Sequence, residues 1–205
     1  MPRGDSLAAP STGGDLQDSV LEYRPREDAM AEQVQPVKDN QMVNAQGQSV
    51  LPRIPGVVIR RAPPIEDMRG EIVEMYRPSW GLHPDPLVYI YQISLRVGAV
   101  KGWVAHRRQE DRIFMSRGVV RWALYDDRSE SPTHKMLNTF TFSERSRTLM
   151  IIPRGVYHAV QNIGHEEAIF INMPSRAYDH ADPDKYRLPV KNPLIPFAFD
   201  DGPGW

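Results

Sequence analysis

The stretch Thr148-Leu-Met-Ile-Ile-Pro153-Arg154-Gly155-Val156-Tyr157-His158-Ala-Val-Gln-Asn162 decides the fold. Thr148 to Ile152 is a short, largely β-branched apolar run, and Pro153 and Gly155 interrupt it. Proline has no N–H for a ladder and glycine accepts left-handed backbone, so the pair marks a turn. A second run, Tyr157 to Gln161, follows at once, and two such runs around a turn predict adjacent strands. The same punctuation extends outward in both directions. Gly56 to Arg60, Glu71 to Tyr76 (after Arg69-Gly70), Leu87 to Leu95 and Ala99 to Ala105 precede it. Arg112 to Met115, Val119 to Tyr125 and Thr139 to Phe142 lead into it, and Glu167 to Met173 follows it. About ten short strands with turn signals every ~8–12 residues, and no sustained helical period, predict an all-β sandwich or barrel.

Composition bounds what that barrel can do. Lys and Arg number 25 against 26 Asp and Glu, a net charge of −1. Such a balance gives no overall field for nucleic acid or an anionic membrane, so neither is an expected partner. Cys 0 excludes disulfides, thiolate metal sites and cysteine nucleophiles, and fits a cytoplasmic location. No apolar run approaches the ~20 residues of a membrane span. Residues 1–50 are Gln-rich with few large apolar groups, and are expected to be a flexible extension. A barrel is expected over 51–178. An irregular segment packing on it is expected over 179–205, where Pro183, Pro189, Pro193, Pro196 and Pro203 discourage regular structure. Pro183 after Asp182 suggests one helical turn over Asp182 to Tyr186.

Two strands deliver a histidine beside a glycine-containing turn: Gly98 to His106, and Pro153 to His158. Counting by twos along a strand, His106 shares a face with Val104 and Gly102, and His158 with Val156 and Val160. If those faces point inward, both histidines lie inside the barrel, where small ligands are held. Spacing alone leaves open the plainer alternative, a core histidine at 158 and a surface one at 106.

Pro153-Arg-Gly155-Val-Tyr-His158-Ala-Val-Gln-Asn162 resembles the second cupin motif, Pro-x-Gly-x-x-His-x-x-x-Asn. Further segments resemble, in order, the dTDP-4-dehydrorhamnose 3,5-epimerase family: Asp67-Met-Arg69-Gly70-Glu-Ile-Val-Glu74, Gly98-Ala-Val-Lys101-Gly102-Trp103, and Tyr125-Asp126-Asp127-Arg128-Ser-Glu-Ser131-Pro132-Thr133. The resemblance implies a cupin, or double-stranded β-helix (jelly-roll), barrel in a homodimer. It also implies a nucleotide-diphosphate sugar as ligand and epimerisation next to a 4-keto group, with no metal or redox cofactor required. Arg69 falls where the family binds the diphosphate, often across a dimer, and Glu74 on a family acid near the nucleotide. Lys101 replaces a phosphate-contacting arginine, keeping the charge but not the fork. Tyr91 stands where the epimerases carry a polar residue near the pocket. His158 matches a histidine of the sugar pocket, and Tyr178 falls where the family has its catalytic tyrosine.

One position departs from the family. Its general-base histidine would stand at Val104, which cannot take a proton, and the nearest substitute is His106, on the same strand face. The expected catalytic set is therefore His106 as base, Tyr178 as acid, and His158 or Lys101 steadying the oxyanion. Three alternatives compete: a 3,4-ketoisomerase of the same substrate class, a catalytically silent sugar-nucleotide-binding protein, and a metal-dependent cupin using His106, Glu110 and His158.

Overall fold

The computed structural model describes residues 36–199. Most of the extension expected over 1–50 lies outside them. Residues 36–48 belong to a separate unit, where the Asn44 side chain accepts the N–H groups of Gln46 and Gln48. The second unit, from Ser49 onward, carries the barrel.

Among the described residues twelve strands run in chain order: β1 (Val58–Arg61), β2 (Ile65–Asp67), β3 (Gly70–Ile72), β4 (Tyr91–Leu95), β5 (Val100–Ala105), β6 (Asp111–Arg117), β7 (Val119–Asp126), β8 (Leu137–Ser143), β9 (Thr148–Ile152), β10 (Val156–Asn162), β11 (Ala168–Asn172) and β12 (Tyr186–Arg187). They form two five-stranded antiparallel sheets, ordered β1-β9-β6-β11-β4 and β12-β5-β10-β7-β8, beside the small hairpin β2-β3. Among the described residues the one helical element is a 3-10 turn, Pro78–Trp80. This is the all-β cupin jelly roll.

Period-2 alternation builds the core between the sheets. Ile113 and Met115, Trp122 and Leu124, Met150 and Ile152, and Val156 and Val160 all point inward and are buried. The outer faces are covered too, which is why β9 is buried along its whole length. Trp103, Ala123, Tyr125 and Ala159 on one outer face pack beneath Ile195, Phe197 and Phe199 of the C-terminal segment. On the other, Phe114 and Leu149 pack beneath Val73, Tyr76, Trp80 and Leu82.

Several elements differ from the sequence reading, and the run Leu87 to Leu95 is a strand only from Tyr91 onward. The run Glu71 to Tyr76 is a strand only as far as Ile72, because Val73 and Tyr76 turn onto the outer face of the first sheet. No helical turn forms over Asp182 to Tyr186. The Asp184 carboxylate instead accepts the backbone N–H groups of Arg107, Arg108 and Gln109, and this holds the segment extended so that β12 pairs with β5.

Candidate active site

Gly102 and Val104 on β5, His106 just beyond it, and His158 and Val160 on β10 share the inward face that alternation predicts. They line one cavity of about 170 Å3 inside the barrel. Tyr91, Lys101, Asp111, Asn172, Lys185 and Arg187 line it as well. β5 can lie close to β10 because Gly102 has no side chain. A Cβ there would stand 2.1 Å from the Ala159 Cβ and 2.6 Å from its Cα.

The polar end of the cavity is a buried triad. His106 Nε2 lies 3.3 Å from Asp111 Oδ2, and His158 Nε2 lies 3.4 Å from the same oxygen. The outer ring nitrogen of each histidine faces a backbone carbonyl: His106 Nδ1 the Asp184 oxygen, His158 Nδ1 the Val156 oxygen at 3.2 Å. A carbonyl only accepts, so each Nδ1 carries a hydrogen; the Asp111 carboxylate also only accepts, so a ring that donates to it from Nε2 is an imidazolium. Asp111 Oδ1 accepts the Gln109 amide at 3.0 Å, which leaves Oδ2 to the histidines. Burial by itself pushes the Asp111 carboxyl up, but His106 and His158 outweigh it and hold the group well below the usual carboxylate range. For His106, burial lowers proton affinity, while Asp111 and the Asp184 carbonyl more than restore it, so the net shift is upward.

The other wall combines cations with hydrogen-bonding groups. Burial, then the charges of Arg187 and Lys101, lower the Lys185 pKa. Tyr91 is pushed up to about 12, first by burial and next by the Asp111 charge, so its hydroxyl stays protonated. That hydroxyl accepts the Asn172 amide at 2.9 Å, while the buried Asn172 Oδ1 has no protein partner. An orphaned acceptor in a cavity wall suits a ligand hydroxyl.

Not every residue singled out in the sequence is in this cavity. Tyr178 stands at an adjoining pocket that shares Tyr91, His106 and Lys185 with the first; its ring meets His180 edge-on. Within one chain, Arg69 and Glu74 are away from the cavity. Arg69 closes the β2–β3 turn on Asp67 with 86% of its side chain exposed, and Glu74 pairs with Arg77. Glu110 does not join the histidines, because it faces His83 and Arg154, and Asp111 takes that place. Asp111, Asn172, Lys185 and Arg187 escaped sequence reasoning. The only local hint for the two cations is their two-residue spacing, which puts them on one face if the tail is a strand.

A jelly roll enclosing a cavity with paired ionisable groups and cations defines a binding or catalytic protein for a small anionic ligand. The sequence model of the dTDP-4-dehydrorhamnose 3,5-epimerase family matches residues 52–195, and the chain belongs to that family. It is a sugar-nucleotide epimerase, and the alternatives weighed from the sequence are not favoured. It is 34% identical over 141 residues to the probable low-salt glycan biosynthesis epimerase Agl13 of Haloferax volcanii, covering 68% of this chain and 90% of that protein. The spore coat polysaccharide biosynthesis protein SpsL of Bacillus subtilis is 28% identical over 150 residues, 72% of this chain and 97% of its own. Among solved structures, the dTDP sugar isomerase of Desulfovibrio desulfuricans G20 superposes with a TM-score of 0.66 at 23% identity, covering 71% and 91% of the two chains. The 3'-monoepimerase ChmJ of Streptomyces bikiniensis, in complex with dTDP-quinovose, superposes at 0.64 and 19% identity over 72% and 77%. Both likenesses show the fold.

Proposed function

We propose that the chain epimerises a nucleotide-linked 4-keto-6-deoxyhexose, with His106 taking the proton next to the carbonyl. The observation that carries this is the contact of His106 Nε2 with Asp111 inside a cavity lined by three cations. With Nδ1–H committed to the Asp184 carbonyl, neutral His106 has its lone pair on Nε2, which is the form a base needs. The proton it takes leaves an imidazolium against the Asp111 carboxylate, which stabilises it. His158 braces Asp111 from the other side. Lys101 steadies the enolate oxygen, with Lys185 and Arg187 answering the remaining negative charge of the substrate. Tyr91 and the free oxygen of Asn172 orient sugar hydroxyls, and Tyr178 returns a proton from the adjoining pocket.

Arg69 and Glu74 serve the partner's cavity in a cytoplasmic homodimer. What supports this is the hairpin that carries Arg69: Ile65 and Ile72 face each other across it with 70% of each exposed, and Met68 at its tip is fully exposed. Apolar residues so placed suit contact with a second chain. His106→Ala is expected to lower turnover by about two to four orders of magnitude while leaving nucleotide binding nearly unchanged. Steady-state turnover and calorimetric nucleotide binding measure the two separately, and undiminished turnover would remove His106 from the role.

A further inference from the structure

We propose that Asn172 and Tyr91 read the C2 hydroxyl of the sugar, so that the substrate is a nucleotide-linked hexose keeping this hydroxyl and 2-deoxy sugars are refused. This deepens the epimerase reading and rests on it for the kind of ligand. The two residues lie directly opposite each other, Asn172 at the end of β11 and Tyr91 at the start of β4. Asn172 also pairs with Ile113 on β6, two residues along from Asp111, and both members of the pair line the cavity. Strands, not loops, carry both side chains, which suits discrimination between near-identical ligands. The Tyr91 ring also leans on Tyr89, with centroids 5.3 Å apart.

The chemistry of the pair selects the group it takes. Asn172 is 2% exposed and donates its amide to the Tyr91 oxygen at 2.9 Å, while its Oδ1 has no partner among the described residues. Because Tyr91 accepts there and stays protonated, its own hydrogen remains to donate. The pair therefore offers one acceptor and one donor. Turning the Asn172 amide over keeps that balance: Tyr91 then donates to Oδ1 and retains a lone pair, and the amide N–H becomes the unpartnered group. A ketone, a ring oxygen or a phosphate oxygen only accepts, and a methyl group does neither. A hydroxyl does both, and so satisfies the pair in either arrangement. A 4-keto-6-deoxyhexose linked to a nucleotide through C1 has hydroxyls at C2 and C3. Inversion at C3 carries the C3 hydroxyl to the other face of the ring, whereas C2 keeps its configuration whichever neighbour of the ketone is inverted. A fixed, buried pair suits the hydroxyl that stays in place.

The test compares dTDP-4-keto-6-deoxyglucose with its 2-deoxy and 3-deoxy analogues on wild-type protein, by proton exchange in D2O and by calorimetric binding. The 2-deoxy analogue is expected to lose about 100-fold or more, because it buries Asn172 without its partner. The 3-deoxy analogue should keep most of the parent's affinity. Asn172→Leu, close in shape, should weaken the parent and bring parent and 2-deoxy sugar to within about threefold of each other. Tyr91→Phe should narrow the same gap. A merely structural role for either residue would weaken both sugars alike and leave their ratio unchanged. Wild-type protein that takes the 2-deoxy sugar within about threefold of the parent overturns the proposal, since a water then serves the pair equally well. So does a 3-deoxy analogue refused in its place, or a ratio that Asn172→Leu leaves intact. Absence of exchange with every sugar, the parent included, refutes the epimerase reading, and the binding ratio still decides the hydroxyl.

Discussion

Asp126, at the end of β7, shows how one side chain can fix a loop. Its buried carboxylate accepts Arg128 Nε at 2.7 Å, Ser131 Oγ at 2.6 Å and Thr133 Oγ1 at 2.7 Å. The Asp-Asp-Arg-x-x-Ser-Pro-Thr segment is thus a turn lock. Burial raises the Asp126 pKa, and these donors bring it well below the usual carboxylate range. A folded pKa below the unfolded one contributes stability above the unfolded value, about 4, and loses it as pH falls through the folded value. Asp126→Asn is expected to cost about 2–3 kcal/mol near neutral pH. It should also flatten the acid limb of a denaturation profile measured by circular dichroism, whereas an unchanged limb would deny Asp126 this role. At this scale the two histidines were legible in part: counting by twos grouped His106 with Val104 and Gly102 and His158 with Val156 and Val160, but spacing alone left open which way those faces point. Asp111 was not, because parity cannot be counted across the turn at residues 107–110, whose geometry is set by the distant Asp184.

Among the elements, β5 is the most constrained. One face touches the cavity, the other carries fully buried Trp103, and Gly102 lets it approach β10. Gly102→Ala drives a methyl into Ala159 and is expected to cost about 1–3 kcal/mol in chemical denaturation, since the obstructing atoms include backbone. A loss within a few tenths of a kcal/mol would mean that β10 yields freely there. Trp103 exchanges backbone hydrogen bonds with Leu188 at 3.1 and 3.2 Å and meets Phe197 edge-on with ring centroids 6.2 Å apart. Trp103→Ala is accordingly expected to cost about 3–5 kcal/mol and to make the tail after Pro183 sensitive to protease. A tail equally resistant without the indole would show that Trp103 does not anchor it. The strand series was readable because β propensity and turn residues are local signals. β12 was not: Tyr186 and Arg187 become a strand only by pairing with Ala105 and Val104, about eighty residues earlier.

At the scale of the whole molecule, one chain supplies the cavity but not Arg69 or Glu74. If the exposed Ile65–Ile72 hairpin docks on a second copy, light scattering should give twice the chain mass, and Ile65→Asp with Ile72→Asp should give one chain mass with weakened nucleotide binding. Wild-type protein at one chain mass would refute the partner-served site. The central claim, that this cavity removes and returns a proton beside a ketone, is tested most directly in D2O. Wild-type protein is incubated with a dTDP-4-keto-6-deoxyhexose while NMR follows the protons at C3 and C5. Loss of either signal faster than in the enzyme-free control, and not with His106→Ala, is the expected result. Signals that persist at the control rate, while the nucleotide sugar is bound in the same tube, would contradict it.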